Sequence, residues 1–126
     1  MTVLAIDYGT KRIGIAKWNS EVDVILPYGV LNNIEQVIDL VNKEDIDKIV
    51  VGMPFSAEEK EVKNRNIKRV NEFINKLKEK TRIKVDSYDE RFSSQQADRM
   101  KGSGVSRDEK SAMIILQSYL DSSNLS

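Results

Sequence analysis

Hydrophobic positions follow two spacings along this chain. Near its start they come in short runs. Val3 to Ile6 ends in Asp7-Tyr8-Gly9, and Ile13 to Trp18 follows directly after Thr10-Lys11-Arg12. Two apolar runs split by a short loop with a glycine predict a hairpin. Val24 to Leu31 is a third strand candidate. Pro27 and Gly29 inside it predict an irregular or edge strand, since proline removes a ladder donor and glycine weakens pairing. Ile34, Val37, Ile38 and Val41 then recur at i, i+3, i+4 and i+7, the spacing of one buried helix face, with Asn32 or Asn33 as its cap. Lys48 to Gly52 is a short apolar run closed by Met53-Pro54, and suits a strand covered on both faces.

A long helix is predicted from about Glu58 to Lys80, with Ile67, Val70, Phe73, Ile74 and Leu77 as its buried stripe. Ile83 to Tyr88 reads as the next strand and runs into Asp89-Glu90-Arg91. Ser93-x-x-Gln96 predicts a capping box for a short helix through Met100, broken by Gly102-Ser103-Gly104. Ser106-x-x-Glu109 is a second capping box. It opens a last helix whose apolar face is Ala112, Ile115, Leu116, Tyr119 and Leu120. Strands first, then strands alternating with helices, predict an α/β domain of three layers with a mixed sheet. The 126 residues make one domain, 1–126, with no repeat, low-complexity tract or linker.

Composition removes whole classes of chemistry. The chain has no cysteine and no histidine. A disulfide scaffold, a thiol nucleophile, a Ser-His-Asp triad and a His- or Cys-ligated metal are therefore excluded. Acid–base or metal chemistry must rest mainly on carboxylates. No signal peptide and no membrane-length apolar run is present, so the expectation is a protein of the cytoplasm with no membrane partner. Twenty basic residues balance twenty acidic ones, so polyanion binding needs a local patch. Such a patch exists: Lys60 to Lys84 holds ten basic residues against three acidic. It reads either as a solvated helix face or as a helix facing phosphates.

Three acids share a placement. Asp7 ends the first strand, Glu90 follows the last strand, and Asp108 lies in the first turn of the last helix, four residues before Ala112 on the sheet-facing side. Ligands bind beyond the carboxyl ends of strands in such sheets. Three converging carboxylates repel one another unless a cation neutralises them, and oxygen ligands alone suit Mg²⁺ or Mn²⁺. Two such ions clamp the attacking and leaving oxygens of an in-line phosphoryl displacement. Each acid also has a structural reading: Asp7 as an Asx turn, Glu90 as a partner of Arg91 or Arg12, Asp108 as a complement to the helix dipole. Thr10, Lys11 and Arg12 sit on the first turn, where a phosphate could meet backbone N–H groups and two cations. Gly9 to Gly14 has P-loop spacing, but Ile15-Ala16 stands where Lys-Ser/Thr is required.

At these positions the sequence resembles a known family. Asp7-Tyr-Gly-Thr-Lys-Arg-Ile-Gly-Ile-Ala16, Val51-Gly-Met-Pro54, Asp89-Glu-Arg-Phe-Ser-Ser94 and Asp108-x-x-Ser-Ala112-Met-Ile-Ile-Leu-Gln-Ser-Tyr-Leu120 look like the successive signatures of the YqgF/RuvX family. Its members are RNase H-like proteins described as Holliday junction resolvases and as nucleases that process the 5′ end of pre-16S rRNA. The resemblance implies a five-stranded mixed sheet with its second strand antiparallel to its neighbours. It also implies that Asp7, Glu90 and Asp108 are the catalytic, metal-holding carboxylates. A basic segment that often precedes the third acid is short here.

The expected function is a nuclease dependent on Mg²⁺ or Mn²⁺, with a two-metal site, acting on structured nucleic acid. Processing of precursor rRNA in ribosomal precursor particles is the preferred context. Thr10, Lys11, Arg12, Lys63, Arg65, Lys68, Arg91 and Arg107 are the expected phosphate-binding residues. The chain would act as a monomer or weak homodimer. The alternatives are a resolvase of four-way DNA and a non-catalytic RNA-binding assembly factor. An actin-like ATPase lobe is disfavoured, because those enzymes close two lobes over a nucleotide and this chain has one.

Overall fold

Thr2–Tyr8 forms β1 and Ile13–Asn19 forms β2, paired antiparallel with Ala5 opposite Ala16 and Asp7 opposite Gly14. The computed structural model describes residues 1–9, 11–53, 60–89 and 105–123, with backbone alone for residues 60–64, 66, 89 and 123. β3, Val24–Leu31, pairs antiparallel with β2, and its register shifts between Ile15 and Ala16. Gly29 sits beside that shift with φ +134, a left-handed conformation open to glycine. The expected irregular edge strand is therefore present, and its cause is this bulge. The turn into β3 is held by Asp23, which has φ 55 and accepts a 2.9 Å hydrogen bond from the Trp18 indole N–H.

β4, Lys48–Met53, runs parallel to β1, and β5, Lys84–Asp89, runs parallel to β4. The sheet order is β3-β2-β1-β4-β5, mixed, with β2 antiparallel to both neighbours as expected. Side chains alternate across it. Leu4, Ile6, Ile13, Ile15, Ile49, Val51 and Val85 form one core with helices α1, Ile34–Lys43, and α2, Lys60–Lys80. Val3, Ala5, Ala16, Trp18 and Val50 form the other with α3, Arg107–Ser123. All five apolar positions expected on the last helix, Ala112 through Leu120, are buried there. β4 packs on both faces, which explains why its sequence does not alternate.

Caps fix the helix starts. Of the two candidate asparagines, Asn33 caps α1, accepting from the Gln36 N–H at 3.0 Å, while Gln36 reaches back to the Asn32 N–H at 2.7 Å. Ser106 and Glu109 form the predicted box, with the Ser106 hydroxyl 2.8 Å from the Glu109 carboxylate. β5 begins at Lys84 rather than Ile83, because the Ile83 N–H is taken by the Thr81 carbonyl in the turn that ends α2. The short helix expected at Ser93–Met100 lies outside the described residues, as does the start of the long helix before Lys60. Among the described residues no helix is long and apolar enough to cross a membrane.

The amino end of the parallel strands is tied by polar contacts. Lys48 Nζ lies 2.7 Å from Asp86 Oδ2 and 4.9 Å from the Tyr119 ring centroid, and the Tyr119 hydroxyl lies 3.3 Å from the same carboxylate. This cluster joins β4, β5 and α3. The Lys48 hydrogen bond holds the Asp86 carboxyl below its ordinary range. A carboxyl depressed in the folded state contributes stability above its unfolded value, near pH 4, and loses it as pH falls through the folded value. Asp86→Asn should therefore lower stability at pH 7 by about 1–2 kcal/mol. The gap between variant and wild type should close in acid, which urea midpoints measured from pH 7 to pH 2 would show.

Candidate functional site

The alternation along β1 decides where Asp7 goes. Leu4 and Ile6 belong to the core under α1 and α2, with Tyr8 packed against it, whereas Val3 and Ala5 face α3. Asp7 follows Val3 and Ala5 at period two, so its side chain rises on the α3 face at the carboxyl end of β1. Its antiparallel partner on β2 is Gly14. A Cβ at Gly14 would fall 2.0 Å from the carbonyl oxygen of Asp108 and 2.9 Å from its Cβ. The backbone of Asp108, in the first turn of α3, thus rests directly on the residue paired with Asp7. Two of the three expected acidic residues are thus neighbours, Asp7 on β1 and Asp108 on the helix that rests on its strand partner.

Arg12 completes the described part of this end. Its Nε lies 3.5 Å from Asp108 Oδ2, with side chains 71% and 28% exposed. A pair this open to solvent is weak. The loop that carries Arg12 is tight, since a Cβ at Gly9 would meet the Arg12 carbonyl oxygen at 2.6 Å. Lys11 on that loop and Arg107 at the start of α3 are exposed. β1, β4 and β5 are parallel, so the strand that leads to Glu90 ends at the same edge of the sheet. Glu90, Arg91 and Thr10 themselves lie outside the described residues, as does the Lys63 side chain. Among the described residues no three potential metal ligands cluster.

The remaining expected phosphate contacts are elsewhere. Arg65 and Lys68 are exposed on α2, which packs on the opposite face of the sheet from α3. The fold therefore does not gather all the expected cations around Asp7. Gly14 is the residue whose role the sequence reading passed over. Its signal was a glycine inside a strand, which marks close approach of another backbone.

A family model described as "RuvX: Holliday junction resolvase" matches residues 1–122. The chain belongs to the RuvX family. It is 35% identical to a protein of Phocaeicola vulgatus over 95% of each chain, and 34% identical to one of Caldanaerobacter subterraneus subsp. tengcongensis over 97% of each. Both are named "Putative pre-16S rRNA nuclease". The fold matches Thermus thermophilus RuvC, solved in complex with a Holliday junction substrate, with TM-score 0.68 at 12% identity over 99% of this chain and 97% of that one. It also matches the fowlpox virus resolvase, with TM-score 0.62 at 14% identity over 97% and 98%. The RNase H-like architecture implied by the family resemblance is thus the fold of this RuvX-family chain.

Gly14→Ala tests the contact that brings Asp108 to Asp7. The added methyl group meets backbone, which cannot rotate away, so the start of α3 must shift. The substitution should destabilise by about 1–3 kcal/mol. Amide exchange should rise most in the first turns of α3 and remain slow in β1 and β4.

Proposed function

We propose that this RuvX-family chain hydrolyses phosphodiester bonds in structured RNA, and that its work is trimming of precursor 16S rRNA in the cytoplasm. The observation that carries this reading is the seating of Asp108 on Gly14, the strand partner of Asp7. It sets two carboxylates at the carboxyl end of a mixed sheet, where such folds bind ligands. The names of the relatives supply the substrate class.

The donor set fits a hard divalent cation. The chain offers no imidazole or thiolate anywhere, and the converging groups are oxygen donors, which suit Mg²⁺ or Mn²⁺. Asp7 and Asp108 would hold the ions, with Glu90 from the end of the β5 segment as the third ligand. When bound, such ions neutralise charge on the attacking and leaving oxygens of an in-line displacement. The chain's own residues do the rest. Arg12, whose pair with Asp108 is open to solvent, would hold a phosphate oxygen beside that carboxylate. Lys11 and Arg107, exposed on either side, hold neighbouring phosphates. Arg91 follows Glu90 in sequence and adds a further cation in this reading, as Thr10 adds a hydroxyl.

A second reading, cleavage of four-way DNA, is favoured by the description of the matching family. One experiment addresses both: precursor 16S rRNA and four-way DNA junctions are offered to wild type, Asp7→Asn and Asp108→Asn, with and without Mn²⁺. RNA cleavage should need the metal and fall by about a thousandfold or more in each variant. Junction cleavage without RNA cleavage would establish the second reading, and full activity of Asp7→Asn would sink both. Metal should also raise the melting temperature of the wild type, since a ligand at a hundred times its Kd adds about 2.7 kcal/mol, and Asp7→Asn should lose most of that gain.

The basic face of α2 has its own test. Arg65 and Lys68 are exposed, and no ion pair involves either among the described residues. If they follow a duplex phosphate backbone, Arg65→Gln with Lys68→Gln should flatten the slope of log K against log salt by up to about two units. Stability should be nearly unchanged. An unchanged slope would make this face a solvated surface only.

A further inference from the structure

On the opposite side of β1 from Asp7 lies a cavity of about 270 Å³. Its floor is the end of β1, where Tyr8 and Gly9 stand; one wall is the start of α1 and the other is α2. Tyr8 directly follows Asp7, so the cavity begins one residue, about 3.8 Å of chain, from the proposed reaction centre. The Tyr8 ring is fixed against buried Phe73, with centroids 4.5 Å apart. The rim carries Asn32 and Asn33 from the cap of α1, Glu35 from its first turn, and Arg69, Glu72 and Lys76 from α2.

The chemistry of this rim selects a ligand. Two cations face two carboxylates, so the charges cancel and the cavity does not favour a bare anion. No ion pair joins the four among the described residues, so each keeps its hydrogen-bonding capacity. Carboxylates accept from ring N–H and exocyclic amino groups, amides both donate and accept, and an aromatic wall offers a surface for stacking. The volume lies just under the range of pockets for drug-sized molecules, as suits one planar heterocycle. A group that is neutral, planar and rich in donors and acceptors, and that arrives joined to a phosphate, is a nucleobase.

We infer that this cavity receives one unpaired nucleobase of the substrate strand, next to the phosphate held at Asp7 and Asp108. The strand crosses the carboxyl end of β1, with its scissile phosphate on the α3 side and its base on the α1–α2 side. Arg69 and Lys76 meet the phosphate that follows the base. The preferred bases carry an amino group, since Glu35 and Glu72 provide acceptors. The inference rests on the nuclease reading for the position of the phosphate and adds to it where specificity arises.

The test walks an abasic residue along the unpaired segment of a structured precursor 16S rRNA fragment that spans the cleavage site. Binding is measured by fluorescence anisotropy to the full-length Asp7→Asn protein, and cleavage to wild type. One abasic position beside the scissile bond should weaken binding by about ten- to a hundredfold, the usual effect of losing a stacked base. In Asn32→Trp, which fills the cavity mouth, and in Glu72→Ala, which removes an acceptor, that penalty should shrink or vanish. Melting curves confirm that each variant folds. Cleavage with a flat abasic series, or the same penalty in both variants, would overturn the cavity's role and leave the nuclease reading standing. An abasic penalty in binding that both variants relieve, without cleavage by wild type, would support the cavity and overturn the nuclease reading. No binding of any RNA would overturn both.

Discussion

A missing side chain at Gly14 lets α3 approach the sheet closely enough for its first turn to touch a strand. Helices normally stand off a sheet by the thickness of two layers of side chains, close to 10 Å. Asp108 has a short side chain and could not reach a strand end across that gap. With no Cβ at Gly14, backbone meets backbone, and the acid arrives already positioned by the helix that carries it. The Ser106–Glu109 box then fixes where that helix starts, and Ala112 through Leu120 anchor the remainder in the core.

Elements whose cause is local were legible in the sequence. The spacing of α1, the Asn33 cap, the Ser106–Glu109 box and the two-sided burial of β4 follow from residues within a few positions of each other, and the structure repeats them. The expected nearness of Asp7 and Asp108 came from the end of the first strand and from the four-residue spacing of Asp108 to Ala112; the face of the sheet that Asp7 takes came with the structure. What the sequence did not reveal depends on partners far apart in the chain. Gly14 read locally only as the end of a P-loop-like spacing, because its structural reason lies in Asp108, on the last helix. The cavity beside Tyr8 is assembled from the start of α1 and the middle of α2, so no segment announces it. Lys48, Asp86 and Tyr119 likewise meet only through the sheet order. The layer that α2 joins was equally hidden, since a basic run does not say on which face of the sheet its helix packs.

Net charge is zero, yet the accessible charge is not evenly shared. Several acids are taken up by the fold: Asp47 accepts from the Thr2 N–H at 2.7 Å, Asp23 from Trp18, and Asp86 from Lys48. Glu44 caps the end of α1, accepts from the Tyr28 hydroxyl and lies 3.6 Å from Lys17, contacts that hold its carboxyl below the ordinary range. Arg65, Lys68, Lys78 and Arg82 have no such employment among the described residues and face solvent. A chain with equal numbers of each sign can thus present a local positive surface, because many of its acids are bound internally and many of its cations are not.

Polar ties hold the sheet at the end away from Asp7. Thr2 anchors Asp47 and Asn19, Lys48 anchors Asp86, and the N-terminal ammonium donates to Ser20 at 3.0 Å. At the other end Arg12 and Asp108 form an ion pair open to solvent. Acidic groups brought close repel one another, and that repulsion acts on whatever elements carry them. A pair such as Arg12–Asp108 offsets part of it. The contacts of Thr2, Asp47, Lys48 and Asp86 hold β1, β4 and β5 in register from their opposite ends without drawing on Asp108.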